Sequence, residues 1–288
     1  MADAVVTTLG SAQSYAKNDV YAVGEHCYHM DNALTDSGTV GTAITTPGTY
    51  NAAAFDASVK KFGTHSMKLV AATNGSFFHI PGSSNLNFSG DFTIDFWIKM
   101  DAVMRDSSTY HVILGTDREG DSDSRRQMGL FWYGTGYGSG GGYFGLYGTN
   151  ATGTEEVSKT LYTGAGLMSD AEIVDWQHMA ITRKDGWMDL WWGGKQMAAY
   201  NARLVCAGDI NVGDFGLTFG RDQWYSPVAD NTQTDAQDCT MWIDELRITK
   251  GTALWSGTDS FTPPTGVAPQ TVTHTYVKNS LGREKRIV

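Results

Sequence analysis

From about residue 61 onward, the chain consists of short segments in which apolar and polar residues alternate. In the segment FTIDFWIK (92–99), every even-numbered residue is apolar, whereas Thr93, Asp95 and Lys99 lie at odd-numbered positions. Because successive side chains of a β-strand point to opposite faces, this pattern predicts a strand with one face against a core. Similar runs predict further strands at 111–114, 128–133, 143–147, 177–184, 187–192, 217–220 and 241–249.

Glycine-containing dipeptides between these runs predict tight antiparallel hairpins. Asp185-Gly186 separates two of the runs, and Gly193-Gly194 follows the second of them. Such pairs suit two-residue type I′ turns, whose central residues both need positive φ. One helical turn is predicted at 169–174, and the prolines from Pro263 onward end the sheet because proline cannot donate to a ladder.

The composition agrees with an all-β chain and argues against several classes of protein. Glycine accounts for 34 of the 288 residues, and charged residues make up only 18%, against about 25% in typical domains. No run approaches the roughly 18 apolar residues that a membrane-spanning helix needs. A net charge of −10 argues against a nucleic-acid partner. The length suits one large domain with appendages, or two small domains.

The N-terminus and the cysteines bear on where the protein is made. The first twenty residues lack a basic segment followed by an apolar run, so no secretory signal is predicted. Export by another route, or a signal removed beforehand, stays open. Cys27, Cys206 and Cys239 are odd in number and widely spaced, which predicts free thiols made in a reducing cytosol.

Four segments, taken in order, resemble the concanavalin A-like lectin/glucanase superfamily, in particular its laminin-G-like domains. They are SFFHIPGSSNLNFSGDFTIDFWIKM (76–100), DWQHMAITRKDGWMDLWWGGKQM (175–197), LTFGRD (217–222) and MWIDELRITKGTALWSGTDSFTPPT (241–265). The resemblance covers about residues 55–265 and implies a jelly-roll β-sandwich of two antiparallel sheets. The flanks are then an extended N-terminal docking segment, 1–54, and a basic C-terminal tail, 266–288. The FTPPT ending is of a kind met in phage-encoded members, and such domains bind glycans, mediate adhesion or form parts of virions.

Three carboxylates bear on whether the chain is an enzyme. Hydrolytic members of this superfamily need two carboxylates on one strand beside a glycosidic bond. Asp244 and Glu245 are neighbours on a strand and should point to opposite faces, and Asp95 stands alone. We therefore expect all three to be hydrogen-bond partners at strand ends, and we expect no enzymatic activity.

Acidic residues in the segment DREGDSDS (117–124) are candidates for a calcium site. Asp117, Asp121 and Asp123 supply hard oxygen ligands, but the spacing is not that of an EF-hand loop. The resemblance adds that laminin-G domains often carry calcium near their ligand edge, whereas a solvated charged loop is the alternative. No other cofactor is predicted.

Histidines supply further candidates for metal binding or catalysis. His26 and His29 flank Cys27 but have no fourth ligand nearby, which argues against zinc. His178 matches the family's W-x-H position, which we interpret as a buried histidine that faces the sandwich interior.

Aromatic residues around two loops are better placed to be exposed than those within the strands. They lie in or beside the glycine-rich segment 134–148 and in a later loop, and comprise Trp132, Tyr133, Tyr137, Tyr143, Tyr147, Trp224 and Tyr225. Aromatic rings stack on sugars and also anchor protein interfaces, so the ligand is a glycan or a protein, unless the rings only pack. The glycine-rich segment is either a binding loop or a wide connection between strands.

The last eighteen residues carry four basic residues, Lys278, Arg283, Lys285 and Arg286, against one acidic residue. A basic tail on an acidic body suits docking to an acidic neighbour, although a solvated terminus is the alternative.

Our first hypothesis is a structural virion protein, made in the host cytoplasm: a capsid decoration, a fibre or a tail-associated component. It would contact other virion proteins and copies of itself, and host-surface glycans are a further candidate partner. The second hypothesis is a free carbohydrate-binding lectin, with or without calcium.

Overall fold

The structure, a computed structural model, describes residues 26–38, 40–46, 53–70, 76–116, 127–137, 142–149, 156–162, 170–197, 203–210, 216–220, 240–256, 260–266, 276–278 and 284–286. Within them the helical elements are α1 (Ala102–Asp106), α2 (Asp170–Ile173) and a single 3₁₀ turn at Ser84–Leu86. The rest of the regular structure in this part of the chain is β-strand.

In chain order the strands are β1 (His26–Tyr28), β2 (Ala54–Asp56), β3 (Ser66–Leu69), β4 (Phe78–Ile80), β5 (Phe92–Met100), β6 (Tyr110–Thr116), β7 (Met128–Tyr133), β8 (Tyr143–Thr149), β9 (Glu156–Tyr162), β10 (Gln177–Lys184), β11 (Trp187–Trp192), β12 (Lys195–Gln196), β13 (Leu204–Val205), β14 (Leu217–Phe219), β15 (Met241–Lys250), β16 (Tyr276–Lys278) and β17 (Glu284–Arg286).

Two antiparallel sheets form the sandwich. The larger sheet has the order β12-β11-β10-β5-β15-β3-β2, with β1 also paired to β15 and β13 to β11. The smaller sheet has the order β4-β14-β6-β7-β8-β9. The predicted fold class, an all-β sandwich of two antiparallel sheets, is confirmed.

The inner faces of the two sheets enclose the apolar core. The predicted alternation on β5 is confirmed, because Phe92, Ile94 and Phe96 all enter this core. Phe96 contacts Phe219 of the opposite sheet edge-to-face, with ring centroids 5.4 Å apart. The outward-facing Asp95 is also buried, since a further layer of chain covers the outer face of the larger sheet.

The two predicted hairpin turns have the expected backbone. Asp185 and Gly186 have φ of 50° and 78°, and Gly193 and Gly194 have φ of 56° and 82°. Positive φ at both central residues is what a type I′ turn requires, and it matches the twist of the flanking strands. These turns fix the register of β10, β11 and β12.

The sandwich begins earlier in the chain than the sequence predicts. Tyr28 of β1 pairs with Leu246 of β15, and Thr45 forms an isolated bridge with His79. Tyr28 is also part of the core. Residues 26–38 and 40–46 therefore belong to the sandwich, and their assignment to a docking segment over 1–54 is wrong. β1 has only three residues, too few for alternation to be recognised in the sequence.

The chain forms two compact units. One comprises Ala22–Ala268 and contains the sandwich, and the other comprises Met1–Tyr21 together with Pro269–Val288. In the second unit the described residues form the hairpin β16-β17, in which Tyr276 lies opposite Arg286. Among the described residues, no helix is both long enough and apolar enough to cross a membrane.

Candidate functional site

The outward face of the smaller sheet carries a cluster of tyrosines, here called the tyrosine platform. It comprises Tyr110 of β6, Tyr133 of β7, Tyr143 and Tyr147 of β8, and Tyr137 of the turn after β7. In the ladder Tyr133 lies between Tyr110 and Tyr143. The rings of Tyr133 and Tyr143 are stacked with centroids 4.4 Å apart, and the Tyr137 ring lies 5.1 Å from that of Tyr133. All five side chains are half-buried.

A glycine at the centre of the platform lets two of these rings approach the backbone. Gly145 lies between Tyr143 and Tyr147 on β8, and a Cβ atom on it would lie 2.9 Å from the Tyr133 ring and 3.0 Å from the Tyr147 ring. The hydroxyls of Tyr133 and Tyr147 hydrogen-bond to each other at 2.8 Å. The platform is therefore a packed aromatic surface that also presents hydroxyl groups, a combination that suits amphipathic ligands.

The structure brings four of the predicted binding residues together on one surface, and it buries a fifth in the core. Tyr133, Tyr137, Tyr143 and Tyr147 all belong to the platform, whereas Trp132 is fully buried. The expected exposure of Trp132 is wrong. Adjacent residues on a strand point to opposite faces, and the next residue, Tyr133, faces outward. The Trp132 ring packs in the core, and its Nε1 donates to a backbone carbonyl of α1 at 3.2 Å.

Most of the other predicted site residues cannot be placed by the structure. Six of them fall outside the described part of the chain: Trp224, Tyr225, Asp117, Asp121, Asp123 and Arg283. Lys278 of β16 lies opposite Glu284 of β17, and Lys285 and Arg286 are also in β17. Three of the four basic residues predicted for assembly therefore lie on one antiparallel hairpin.

On the outer face of the larger sheet, a buried ion pair joins three strands. Nε of Arg247, on β15, donates to the two carboxylate oxygens of Asp95, on β5, at 3.1 and 3.0 Å. Nε2 of His178, on β10, donates to Asp95 at 3.0 Å. Burial by itself would raise the pKa of Asp95, but Arg247 and His178 hold that pKa below its usual value. Asp95 is thus a hydrogen-bond partner, as the sequence predicts, although it lies within β5 rather than at a strand end.

His178 lies on the outer face of its strand rather than in the sandwich interior, because its neighbour Met179 is the one that enters the core. It is nonetheless buried, since residues 251–256 and 260–266, here called the closing segment, cross that face. Trp255 and Phe261 of this segment are stacked 3.9 Å apart, and both lie edge-on to the His178 ring. The closing segment thus covers His178, the residue that donates to Asp95.

A β-bulge places both Asp244 and Glu245 on the outer face. The register between β15 and β5 shifts at this point, Glu245 has φ of 49°, and Ile243 and Leu246 on either side both enter the core. The expectation that these carboxylates point to opposite faces is wrong, because a bulge adds a residue and interrupts the alternation.

The two bulge carboxylates have different partners. Asp244 accepts hydrogen bonds from the backbone N–H groups of Lys61 and Phe62 at 2.8 and 3.1 Å, and burial raises the pKa of Asp244 to about 7. Glu245 is 3.0 Å from Nδ1 of His29. Both carboxylates are buried and engaged within the protein.

The histidines beside Cys27 have separate carboxylate partners. His26 contacts Asp36 at 2.6 Å, and His29 contacts Glu245. Within the residues that the structure describes, no three His, Cys, Asp or Glu side chains are arranged to hold a metal ion.

A family model matches the larger part of the chain. The model described as Laminin_G_3, concanavalin A-like lectin/glucanases superfamily, matches residues 72–253, which is more than half of the chain. No curated protein matches the chain in sequence.

Solved structures of similar fold include receptor-binding domains of botulinum neurotoxins. The ligand-binding domain of serotype D, in complex with N-acetylneuraminic acid, has a TM-score of 0.52 at 14% identity and covers 83% of this chain and 49% of that one. The receptor-binding domain of mosaic serotype C/D has a TM-score of 0.53 at 16% identity, with coverage of 83% and 49%. This chain thus spans about half the length of those structures, and at such identity the likeness is one of fold.

Proposed function

The chain belongs to the concanavalin A-like lectin/glucanases superfamily, and we propose that it is a non-enzymatic adhesion protein of a virion that binds glycans through the tyrosine platform. The observation that carries the binding role is the platform itself. Stacking and the Tyr133–Tyr147 hydroxyl pair join half-buried tyrosines on the outward face of one sheet.

The chemistry of the platform matches that of a sugar. A pyranose ring has an apolar C–H face with hydroxyl groups around its rim, and tyrosine combines an apolar ring with a polar hydroxyl. The rings are held in place by one another and by their close approach to Gly145. Binding would therefore order few side chains, which lowers its entropic cost.

A structure of similar fold also favours glycans as the first ligands to test. The serotype D domain was solved in complex with N-acetylneuraminic acid, a sugar. That ligand belongs to the neurotoxin domain, and its relevance to this chain is a proposal that rests on shared fold.

The non-enzymatic part of the proposal is supported by how the carboxylates are used. Asp95 is neutralised by Arg247, Asp244 accepts two backbone N–H groups, and Glu245 contacts His29. Glycoside hydrolysis needs a carboxylate pair that reaches the substrate, and these three buried carboxylates are committed to contacts inside the protein.

The virion part of the proposal is supported by the C-terminal end of the sequence. The closing segment contains FTPPT, and the residues from Pro269 onward, together with Met1–Tyr21, form a second compact unit that carries a basic hairpin. One unit would attach the protein, and the sandwich would carry the platform. Such an arrangement suits a capsid decoration, fibre or tail-associated protein. Its partners would be acidic surfaces of other virion proteins or of a second copy.

Replacing Tyr143 with alanine should weaken glycan binding by about tenfold or more, because it removes the ring that stacks on Tyr133 and so disrupts the platform. A glycan array with the full chain would first identify a ligand. Titration calorimetry with that glycan would then compare the variant with the unaltered protein, in the presence and absence of a calcium chelator.

Trp187→Ala is the matched control for this prediction. Trp187 is an aromatic residue that is 40% exposed on the other sheet, away from the platform, so its loss should leave the affinity unchanged. Equal loss in both variants, or full affinity in Tyr143→Ala, would show that the platform is not the glycan site. Loss of binding in chelator would instead favour the calcium-dependent lectin and the segment that contains Asp117, Asp121 and Asp123.

Deleting residues 269–288 should abolish assembly while leaving the sandwich folded, because the deleted residues belong to the other compact unit. Thermal unfolding would check that the melting temperature is retained. Analytical ultracentrifugation would follow self-association, and salt should weaken that association in the intact chain if the basic residues drive it. A truncated chain that assembles as the intact one does would contradict an attachment role for this unit.

A further inference from the structure

We propose that the loop between β2 and β3, residues 57–65, is a pH-sensitive latch that closes over Asp244 when this residue is protonated and opens when it ionises. The latch lies on the outer face of the larger sheet, whereas the tyrosine platform belongs to the smaller sheet. Its ligand is a proton, which reaches Asp244 whenever the loop opens. The latch is independent of the proposed glycan binding.

Three aspartates hold the β2–β3 loop by accepting hydrogen bonds from its backbone N–H groups. Asp56 holds the first residues of the loop, and Asp31 holds the last ones. Asp244 holds the middle, since its Oδ2 accepts from the N–H groups of Lys61 and Phe62 at 2.8 and 3.1 Å. Asp244 therefore keeps the middle of the loop against the sheet.

The middle of the loop also covers Trp97, the residue that lies opposite Asp244 on β5. Nζ of Lys61 is 4.1 Å from the centroid of a Trp97 ring, and the Phe62 ring packs edge-on to Trp97 with centroids 5.7 Å apart. Beneath these two residues Trp97 is buried. Opening of the loop therefore uncovers Trp97 together with Asp244.

Asp244 is placed where a negative charge is costly. The residue is fully buried, and its Oδ1 has no hydrogen-bond partner among the residues that the structure describes. Its neighbour at the bulge, Glu245, is a second buried carboxylate on the same face. A buried carboxyl group loses more hydration free energy as an ion than as a neutral acid. The closed loop therefore favours the protonated form of Asp244.

The three aspartates that hold the loop differ in how their pKa values are shifted. Burial, with the charge of Glu245 acting in the same direction, raises the pKa of Asp244 to about 7, although hydrogen bonds from the loop backbone act to lower it. Hydrogen bonds, first of all with the side chain of Ser58, lower the pKa of Asp56. Burial would raise the pKa of Asp31, but hydrogen bonds from the loop lower it. Of the three, Asp244 changes its charge near neutral pH.

Other charged or titratable groups lie on the elements packed around Asp244. Glu245 contacts His29, which follows β1, and Arg247 contacts Asp95 of β5. The loop and strands β2, β3 and β5 add Lys60, Lys61, His65, Asp56, Lys68 and Lys99. Asp244→Asn separates the titration of Asp244 from that of all these groups, because it removes one ionisable carboxyl and keeps an oxygen that accepts hydrogen bonds.

The direction of the pH effect follows from the two states of the loop. When the loop is open, Asp244 is in water and regains its ordinary pKa of 3.8, whereas the closed loop holds that pKa at about 7. Opening is therefore least favourable below about pH 4, becomes roughly tenfold more favourable per pH unit from there to about pH 7, and levels off above. The latch is closed in acid and loosened at neutral and alkaline pH.

Amide hydrogen exchange of the full chain, followed by nuclear magnetic resonance from about pH 5 to pH 8, tests the latch. We expect the protection of the Lys61 and Phe62 amides, corrected for the intrinsic pH dependence of exchange, to fall roughly a hundredfold between about pH 5 and pH 7 and then level off. In Asp244→Asn it should not change with pH. Ile181, a core residue of β10, reports on global unfolding and should stay more protected than the loop at every pH.

Asp56→Asn is the matched control, because Asp56 holds the same loop but stays ionised over this pH range. It should lower the protection of the loop at every pH and leave the pH dependence unchanged.

Trypsin, which cleaves after lysine, gives a second readout at a single pH. At about pH 8 it should cut after Lys60 and Lys61 roughly tenfold or more faster in the unaltered protein than in Asp244→Asn, since only the unaltered protein then carries the buried charge. Loop protection that does not change with pH, an equal pH dependence in Asp244→Asn, exchange of the loop together with Ile181, or equal cleavage by trypsin would each overturn the proposal.

Discussion

Replacing Asp95 with asparagine should lower the free energy of unfolding by about 3–5 kcal/mol, the usual cost of breaking a buried ion pair. The change keeps the shape of the side chain but removes the charge that faces Arg247. The buried guanidinium then loses the carboxylate charge that it contacts on Asp95. Urea unfolding followed by tryptophan fluorescence would measure the loss.

A double replacement separates the ion pair from the packing around it. Asp95→Leu combined with Arg247→Met removes both charges together, and should recover much of the stability lost in Asp95→Asn. If the double variant is less stable than Asp95→Asn, the contribution of Asp95 lies in other hydrogen bonds, such as that from His178.

The same variant should change how stability depends on pH. The pKa of Asp95 is held below its usual value, so its contribution is complete above about pH 4 and is lost as pH falls through the lowered pKa. Asp95→Asn has no such titration. Its free energy of unfolding should therefore fall less steeply in acid than that of the unaltered protein.

Replacing Gly194 with alanine should destabilise the protein by about 3 kcal/mol or more. Gly194 has φ of 82°, and an added Cβ would overlap the backbone carbonyl oxygen of Phe261 and lie 3.0 Å from Pro263. Because backbone atoms cannot move aside as a flexible side chain can, the closing segment would have to shift. Phe261 would then lose its contacts with Trp255 and His178.

Gly251→Ala is the control for backbone strain. Gly251 has φ of 81°, but no atom lies within 4 Å of an added Cβ. It should cost only the strain of the left-handed backbone, about 1–2 kcal/mol. Differential scanning calorimetry would compare the two variants. Equal losses in both would mean that close contact between Gly194 and the closing segment contributes nothing.

The parts of the fold that could be predicted from sequence are those set by neighbouring residues. The alternation on β5 and the turns at Asp185-Gly186 and Gly193-Gly194 depend only on residues a few positions apart, and the structure confirms them. The partners of Asp95 could not be predicted in this way. Arg247 lies 152 residues further along the chain, so the pairing follows from sheet register.

The tyrosine platform was predicted only in part, and the error had a visible cause. Nearness to a glycine-rich segment groups Tyr133 with Trp132, although adjacent residues on one strand cannot face the same side. The same rule would have kept Tyr143, Gly145 and Tyr147 together. It fails at Glu245, where the bulge changes the alternation and sequence carries no signal for it.

The central position of β15 also determines when the protein can fold. This strand pairs with β1, β3 and β5, although β1 lies more than 200 residues earlier in the chain. During synthesis, β1 and one edge of β5 therefore remain without their partner until nearly the whole sandwich has left the ribosome. Contacts of such long range slow folding, and unpaired strand edges expose the chain to aggregation. The larger sheet is therefore expected to be completed late, once β15 is available to pair with β1, β3 and β5.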